Sequence, residues 1–146
     1  MSSFDVVVIG RGMIGAAAAR HLAESGLSTA LIGPDEPEDR RAGAGPFSSH
    51  PDEGRITRIA ARTMIWAELA ARSIARYRDI EIRSGIPFYT RTGLAIAVEA
   101  IDDWIDSGLV MGSNIHKVDA DWLRRTAGIA VTNGLPIAYE GSPIRW

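Results

Sequence analysis

The sequence FDVVVIGRGMIG at residues 4–15 joins a short β-branched run to a glycine-rich turn. Its apolar first half predicts a strand that is buried on both faces, as in a parallel sheet. The alanine-rich residues 16–26 that follow are typical of a helix, and Gly26 can end that helix in the left-handed conformation. A second apolar run at residues 28–32 completes a predicted β-turn-α-β unit.

The turn contains the pattern GxGxxG in the place where dinucleotide-binding folds need it. Gly10 allows a tight turn, Gly12 allows a pyrophosphate to approach the backbone, and Gly15 allows the helix to pack closely on the strand. The backbone N–H groups of Met13 and Ile14 lie at the predicted helix start and can face the phosphates. These five residues are therefore predicted to bind a dinucleotide.

The end of the second predicted strand does not distinguish NAD from FAD. Dinucleotide-binding folds place Asp or Glu there to hold a ribose hydroxyl, whereas this sequence has Gly33. Asp35 and Glu36 follow closely and could reach back to a ribose. The cofactor has to be inferred from other residues.

The composition is that of a folded protein, and it excludes several functional classes. Of the 146 residues, 46% are hydrophobic and 23% are charged, the net charge is −2, and cysteine is absent. A cysteine nucleophile, a disulfide scaffold and a thiolate zinc site are therefore excluded, and no broad cationic surface is available for nucleic acid or anionic lipid. No cluster of residues has metal-ligand spacing. No targeting segment or membrane span is recognisable, so a cytoplasmic location is expected by default.

A polar loop rich in proline and glycine covers residues 33–54 and ends in a second group of candidate residues. A loop of this length in a compact domain is usually functional or disordered. Residues 48–58 have the sequence SSHPDEGRITR, in which Arg55 and Arg58 are three positions apart. That spacing can place both arginines on one side of an incipient helix, facing an anion. Spacing alone also permits a helix N-cap region with solvated arginines.

The GxGxxG start, the distance to the second strand and the Ser-Ser-His…Arg-Ile-Thr-Arg segment together resemble the D-amino-acid-oxidase-like flavoproteins. Among these, the sarcosine-oxidase-type amine oxidases are most similar. The resemblance implies an α/β fold, with the N-terminal part of an FAD-binding Rossmann-like domain at residues 1–85. The beginning of a mixed-sheet substrate domain would follow at residues 86–146. The family extends well beyond this length, so the chain is expected to be an N-terminal fragment that is inactive alone.

The same resemblance implies roles for single residues. Ser49, His50 and Arg55 would lie along the isoalloxazine and the ribityl chain of FAD. Arg58 would point toward the substrate carboxylate, which makes Arg58 and His50 the candidate catalytic residues. The sequence departs from the family pattern in two places: one extra residue separates His50 from Arg55, and Gly33 replaces an acidic residue.

The reaction implied by the resemblance is the oxidation of a small amine or amino acid. A hydride would pass from the substrate carbon that bears nitrogen to FAD, the imine product would hydrolyse, and oxygen would reoxidise the flavin. One alternative is an NAD(P)-dependent dehydrogenase. Another is a non-catalytic, truncated dinucleotide-binding module that needs a second chain. An incomplete parallel sheet would expose apolar edges, through which the chain could self-associate.

A long helix is predicted after the polar loop, over residues 59–83, with Gly85 and Pro87 ending it. Glu68 and Arg72 have the spacing of an ion pair on this helix. The apolar stripe of the helix comprises Ala60, Met64, Ala67, Ala71 and Ile74.

The last third of the chain is predicted to form short strands and helices. Residues 88–98 predict two short strands about Thr92-Gly93, a step that also occurs at the start of a substrate-domain strand in the resembled family. Residues 102–111 and 121–127 predict amphipathic helices, and residues 114–118 predict a short strand or turn. Within these segments, Trp104 and Trp122 are expected to be core anchors.

Overall fold

The computed structural model describes residues 3–35, 55–132 and 134–141. The chain divides into two compact units, Met1–Arg55 and Ile56–Trp146. The predicted boundary at residue 85 concerns functional domains and stays a prediction. Within the described ranges, no helix has the length and apolar character needed to cross a bilayer.

The first unit is a β-α-β unit, as predicted. Strands β1 (Val6–Ile9) and β2 (Thr29–Ile32) pair in parallel, and helix α1 (Met13–Glu24) connects them. Ser25 follows the helix, and Gly26 then turns the chain with a φ of +85°. Most residues with a Cβ would be strained at that angle, so glycine, and next to it asparagine, suits this helix end.

The prediction that β1 is buried on both faces is wrong for the described part of this unit. Val6 and Val8 are half-buried, whereas Val7 and Ile9 are 51% and 86% exposed. A Cβ placed on Gly15 of α1 would lie 3.6 Å from Cγ1 of Val8, so α1 covers the face of Val8. Burial on both faces needs a packed layer on each side of the sheet, and the described residues of this unit supply one helix.

The second unit combines helices with a small antiparallel sheet. Helices α2 (Met64–Ile74) and α3 (Tyr77–Ser84) come first, and strand β3 (Leu94–Ala97), helix α4 (Ile101–Val110), strand β4 (His116–Val118), helix α5 (Ala120–Ala127) and strand β5 (Ile137–Glu140) follow. The strand order is β3-β5-β4, so the last strand lies between the other two. Leu94 lies opposite Glu140, and His116 lies opposite Tyr139.

The core of the second unit gathers residues that are far apart in the sequence. Its buried cluster consists of Ala60, Ile96, Ile101, Ile115 and Ala138. Trp104 packs against this cluster, as expected of a core anchor.

Trp122, the other predicted core anchor, is partly buried and packs on aromatic neighbours. Its ring centre lies 5.3 Å from that of Tyr139 and 5.6 Å from that of His116. Its helix, α5, begins after Asp119, whose carboxylate accepts a hydrogen bond from the Trp122 N–H, and it ends at Gly128 with a φ of +69°. The predicted helices at residues 102–111 and 121–127 and the short strand within residues 114–118 are thus confirmed.

The single helix predicted over residues 59–83 is wrong. Two helices, α2 and α3, are separated at Ala75 and Arg76, and residues 59–63 are not helical. The N–H groups of residues 59–61 donate to side chains of Ser107 and Glu140 instead of closing helical turns. Gly85 does end α3, with a φ of +70°.

Part of the predicted apolar stripe and the predicted ion pair are confirmed on α2. Ala67 and Ile74 are buried, and Arg72 pairs with Glu68. Met64 is exposed instead of buried.

Of the two short strands predicted at residues 88–98, the second is confirmed as β3 and the first is wrong. β3 pairs with β5 and not with the residues before Gly93. The N–H groups of Phe88 and Tyr89 both donate to Oε1 of Glu81, at 2.9 Å each, so they are not available to a sheet. The Glu81 side chain on α3 therefore fixes residues 88–89, which the local sequence pattern predicts to be in a strand.

Packing in the second-unit core predicts a severe effect for Gly108→Val. A Cβ on Gly108 would lie 2.7 Å from Cγ2 of Ile115 and 3.2 Å from Cβ of Ala60. Overpacking of this kind costs about 1–3 kcal/mol, which urea unfolding can measure. Asp106→Val places the same residue at an exposed position of α4 and is the control. Equal stability of the two variants would contradict the packing described here.

The contact of Glu81 predicts a pH effect. Hydrogen bonds from the backbone of Tyr89, then Phe88, hold the pKa of Glu81 below its ordinary value of 4.5. A carboxyl with a lowered pKa stabilises the folded state above its ordinary pKa and loses that contribution as the pH falls through the folded-state pKa. The stability difference between the wild type and Glu81→Gln should therefore be constant near neutral pH and should shrink below about pH 4.5. A difference that grows with acidification would contradict this assignment.

Candidate functional site

The glycine turn of the first unit depends on two close backbone approaches. The N–H of Gly10 donates to the carbonyl of Ile32 at 2.7 Å, and Gly10 has a φ of +110°. A Cβ on Gly15 would lie 1.8 Å from the carbonyl oxygen of Gly10. Only glycine fits at position 15, because the first turn of α1 touches the end of β1 there.

The start of α1 offers backbone donors without a covering side chain. Gly12 is the N-cap residue, and no side chain caps the helix. The N–H groups at the first helical positions, including those of Met13 and Ile14, have no acceptor within a helix. The side chains of both residues are exposed. Such a helix start suits an anionic ligand, and the turn fits the pyrophosphate of a dinucleotide.

A charged pair lies at the end of β2, where a ribose contact is expected. The guanidinium of Arg11 pairs with the carboxylate of Asp35, and both side chains are exposed. A Cβ on Gly33 would lie 2.9 Å from the backbone nitrogen of Arg11 and 3.0 Å from its Cγ. An acidic side chain at position 33 would therefore displace Arg11. Asp35 supplies a carboxylate beside that position, and Glu36 lies outside the described residues.

A pocket in the second unit contains the candidate substrate residue Arg58. Its volume is about 370 Å³. The segment after the polar loop forms one wall, and α2 with Tyr77 of α3 forms the other. The lining residues include Ile56, Thr57, Arg58, Trp66, Leu69 and Tyr77. The lining is thus mainly apolar, with one cation, Arg58, and three hydroxyl-bearing residues, Thr57, Ser73 and Tyr77.

The guanidinium of Arg58 is held by an aromatic ring and retains an unused donor. Its Cζ lies 4.9 Å from the centre of the Trp104 ring, a cation–π distance. Its Nε is buried, and no acceptor among the described residues binds it. A buried donor without a partner is uncommon in folded proteins, and a carboxylate is the acceptor that a guanidinium matches best.

Two hydroxyl groups of the same pocket, those of Thr57 and Tyr77, lie within hydrogen-bond distance of each other. Oγ1 of Thr57 and the hydroxyl of Tyr77 are 3.1 Å apart. The Tyr77 ring lies 5.3 Å from the rings of Phe88 and Tyr89, the segment that Glu81 holds. The position of Tyr77 in the pocket is therefore supported by α3 and the chain that follows it.

The structure brings part of the predicted site together. Gly10, Gly12, Met13, Ile14 and Gly15 form one turn in the first unit. Arg55 is exposed in the same unit, and Arg58 belongs to the second. Ser49 and His50 lie outside the described residues.

The sequence pattern does not indicate the contacts of Arg58 or of the segment after it. It predicts Trp104 only as a core residue, and it gives no sign of the roles of Ser107 and Glu140. No local signal could have found them, because their partners lie 46 to 81 residues away. Among the described residues, His, Asp and Glu form no group that could hold a metal ion.

Comparison with known families identifies the fold to which this glycine turn belongs. The DAO family, FAD dependent oxidoreductase, matches residues 5–141. The chain belongs to this family. The predicted resemblance and the predicted FAD cofactor are thereby confirmed at the level of the family, and the NAD(P)-dependent alternative is not favoured.

Two curated relatives are similar to the chain over most of its length. Both are monomeric sarcosine oxidases from Bacillus sp., strain NS-129 with 25% identity and strain B-0618 with 31% identity, each over 144 residues. Each match covers 94% of this chain but only 36% and 35% of the relative. The chain therefore spans about a third of the length of these relatives.

Solved structures show the same fold at lower identity. L-proline dehydrogenase from P. horikoshii superposes with a TM-score of 0.66 at 16% identity, covering 94% of this chain and 36% of that protein. L-amino acid deaminase from Proteus vulgaris superposes with a TM-score of 0.61 at 22% identity, covering 97% and 38%. The predicted α/β class is confirmed by this agreement.

Proposed function

We propose that this chain supplies the pyrophosphate-binding turn and the substrate-carboxylate residue of an FAD-dependent oxidase of a small amine or amino acid. The observation that carries the proposal is the glycine turn, in which Gly15 touches Gly10 and leaves the start of α1 open. Family membership supports FAD as the dinucleotide. The chain alone is proposed to be inactive, since it spans about a third of the length of its curated relatives and catalysis needs a site that excludes water and preorganises charge.

In this proposal the protein binds and orients, and the cofactor supplies the chemistry. When bound, FAD would accept a hydride from the substrate carbon that bears nitrogen and would pass the electrons to oxygen. The backbone N–H groups of Met13 and Ile14 would donate to the pyrophosphate, and Gly12 would let it approach. Ser49 and Arg55 are proposed to contact the flavin. His50 is proposed to act beside it.

Asp35 is proposed to bind the adenosine ribose in place of the acidic residue that position 33 lacks. Its carboxylate lies just beyond β2 and is held by Arg11, whose side chain occupies the space beside Gly33. A carboxylate held in this way can accept hydrogen bonds from ribose hydroxyls. The contact would be specific to a cofactor that carries adenosine.

Arg58 is proposed to bind the carboxylate of an amino-acid substrate. Its buried Nε, which has no acceptor among the described residues, and its place in a mainly apolar pocket support this role. The names of the similar proteins, sarcosine oxidase, L-proline dehydrogenase and L-amino acid deaminase, all denote substrates with an amine and a carboxylate. The apolar walls would contact the carbon skeleton of such a substrate.

The proposal is tested by the absorbance spectrum of the purified protein after incubation with excess FAD and removal of the unbound portion. Flavin bands near one equivalent are expected, and Gly12→Val should abolish them because a side chain would stand where the pyrophosphate approaches. Gly26→Asn is the control, since it changes a glycine at the far end of α1 to a residue that tolerates a positive φ. Retention of NADH without FAD would overturn the oxidase proposal.

The ribose contact makes a separate prediction. Asp35→Asn should weaken FAD binding about 10-fold or more, because a hydrogen bond to a charged group contributes about 1.5–3 kcal/mol. Equilibrium titration with FAD measures the dissociation constant. Glu24→Gln, an exposed carboxylate at the other end of α1, should leave it unchanged. Equal affinities of Asp35→Asn and the wild type would reject Asp35 as the ribose ligand.

A further inference from the structure

The segment that follows Arg58 is buried without regular secondary structure. Ile59 and Ala60 are fully buried, and neither belongs to a helix or strand. Buried backbone N–H groups need acceptors, and here side chains of distant elements supply them.

Glu140, at the end of β5, is the first of these acceptors. Its side chain is 1% exposed. Oε1 accepts hydrogen bonds from the N–H of Ile59 at 3.0 Å and from the N–H of Ala60 at 3.3 Å, and Oε2 lies 3.4 Å from the Ala60 nitrogen. The hydroxyl of Ser113 donates to Oε1 at 2.8 Å.

This carboxylate is unusual because its partners are backbone and hydroxyl donors. Within the described ranges, no Lys or Arg forms an ion pair with it. A buried carboxylate is costly unless hydrogen bonds compensate its desolvation. An apolar residue at position 140 would avoid that cost but would leave two buried N–H groups without an acceptor.

Ser107 on α4 holds the next residue along the chain. Its Oγ accepts a hydrogen bond from the N–H of Ala61 at 3.2 Å and lies within hydrogen-bond distance of the Ala61 carbonyl. Trp104 lies one turn earlier on the same helix, and its ring packs on the Arg58 guanidinium. Thus α4 contacts both the side chain of Arg58 and the backbone three residues later.

We propose that Glu140 is a positioning residue, which with Ser107 fixes the backbone after Arg58 so that the guanidinium stays aligned for a substrate carboxylate. The proposal rests on the proposed role of Arg58. The orientation of a bidentate anion contact is sensitive to small displacements. Glu140 and Ser107 form a clamp that fixes the backbone next to Arg58, from which the side chain extends. The Trp104 ring restricts the position of the guanidinium at the other end of that side chain.

The test is a titration of the FAD-saturated protein with N-methylglycine, followed by the NMR signal of the Arg58 Nε–H. The matched ligand dimethylamine has the same amine but no carboxylate. In the wild type, N-methylglycine should shift the Arg58 signal and dimethylamine should not. Glu140→Gln keeps the size of the side chain but replaces one acceptor oxygen with a donor. It should weaken N-methylglycine binding about 10-fold and should speed hydrogen exchange at the amides of Ile59 and Ala60.

Control variants separate positioning from general loss of stability. Leu123→Ala removes a fully buried side chain of α5 and should lower the unfolding midpoint while leaving N-methylglycine affinity within about twofold of the wild type. If Glu140→Gln does not fold, Ser107→Ala tests the proposal instead, since it removes the hydroxyl that accepts a hydrogen bond from the Ala61 N–H. Wild-type affinity in the clamp variant that folds would overturn the proposal.

Arg58→Met distinguishes failure of this inference from failure of the proposed function. If Arg58→Met abolishes N-methylglycine binding while Glu140→Gln and Ser107→Ala bind it as the wild type does, Glu140 is not a positioning residue and the role of Arg58 stands. If the wild type does not bind N-methylglycine, or if Arg58→Met binds it normally, the role of Arg58 fails and the positioning role fails with it.

Discussion

Hydrogen bonds from the backbone of residues 59–60 to the buried carboxylate of Glu140 join the beginning of the second unit to its last strand. Donor and acceptor are 81 and 80 residues apart. The N–H groups need an acceptor because their segment is buried and not helical, and the carboxylate needs donors because it is buried without a cation. Each group compensates the desolvation of the other. The contact fixes the backbone of Ala60, which belongs to the core of the second unit, and it lies four residues before the start of α2 at Met64.

The two candidate binding elements, the glycine turn and Arg58, would contact their ligands in different ways. In the first unit, the absence of side chains at Gly10, Gly12 and Gly15 exposes backbone donors and allows close packing. In the second unit, the proposed binding group is the long side chain of Arg58, and its neighbours restrict its position. Arg58 is held by a ring at 4.9 Å and by a backbone that two other side chains secure. This division suits a flavoenzyme, in which the cofactor supplies the redox step and the protein supplies binding and orientation.

Sequence patterns succeeded where neighbouring residues determine the outcome. The order of β1, α1 and β2 follows from apolar periodicity and glycine positions, and the place of α5 follows from its amphipathic pattern. The patterns failed where a distant side chain competes with the local preference. Residues 59–63 have helical periodicity, but their first N–H groups donate to α4 and β5. Residues 88–93 have a strand-like composition, but Glu81 holds their start.

Local sequence was enough to predict the β-α-β unit and the glycine turn, because their signals lie within about thirty consecutive residues. Together with the segment at residues 48–58, it also indicated the relation to the FAD-dependent oxidoreductases. It also indicated Arg58 as a candidate, through a motif and not through its surroundings. The folded chain was needed to show what surrounds Arg58, since Ser107 lies 46 residues after Ala61 and Glu140 lies 81 residues after Ile59. Periodicity describes which residues share a face of one element. It contains no information on which distant carboxylate will accept a hydrogen bond from that element's backbone.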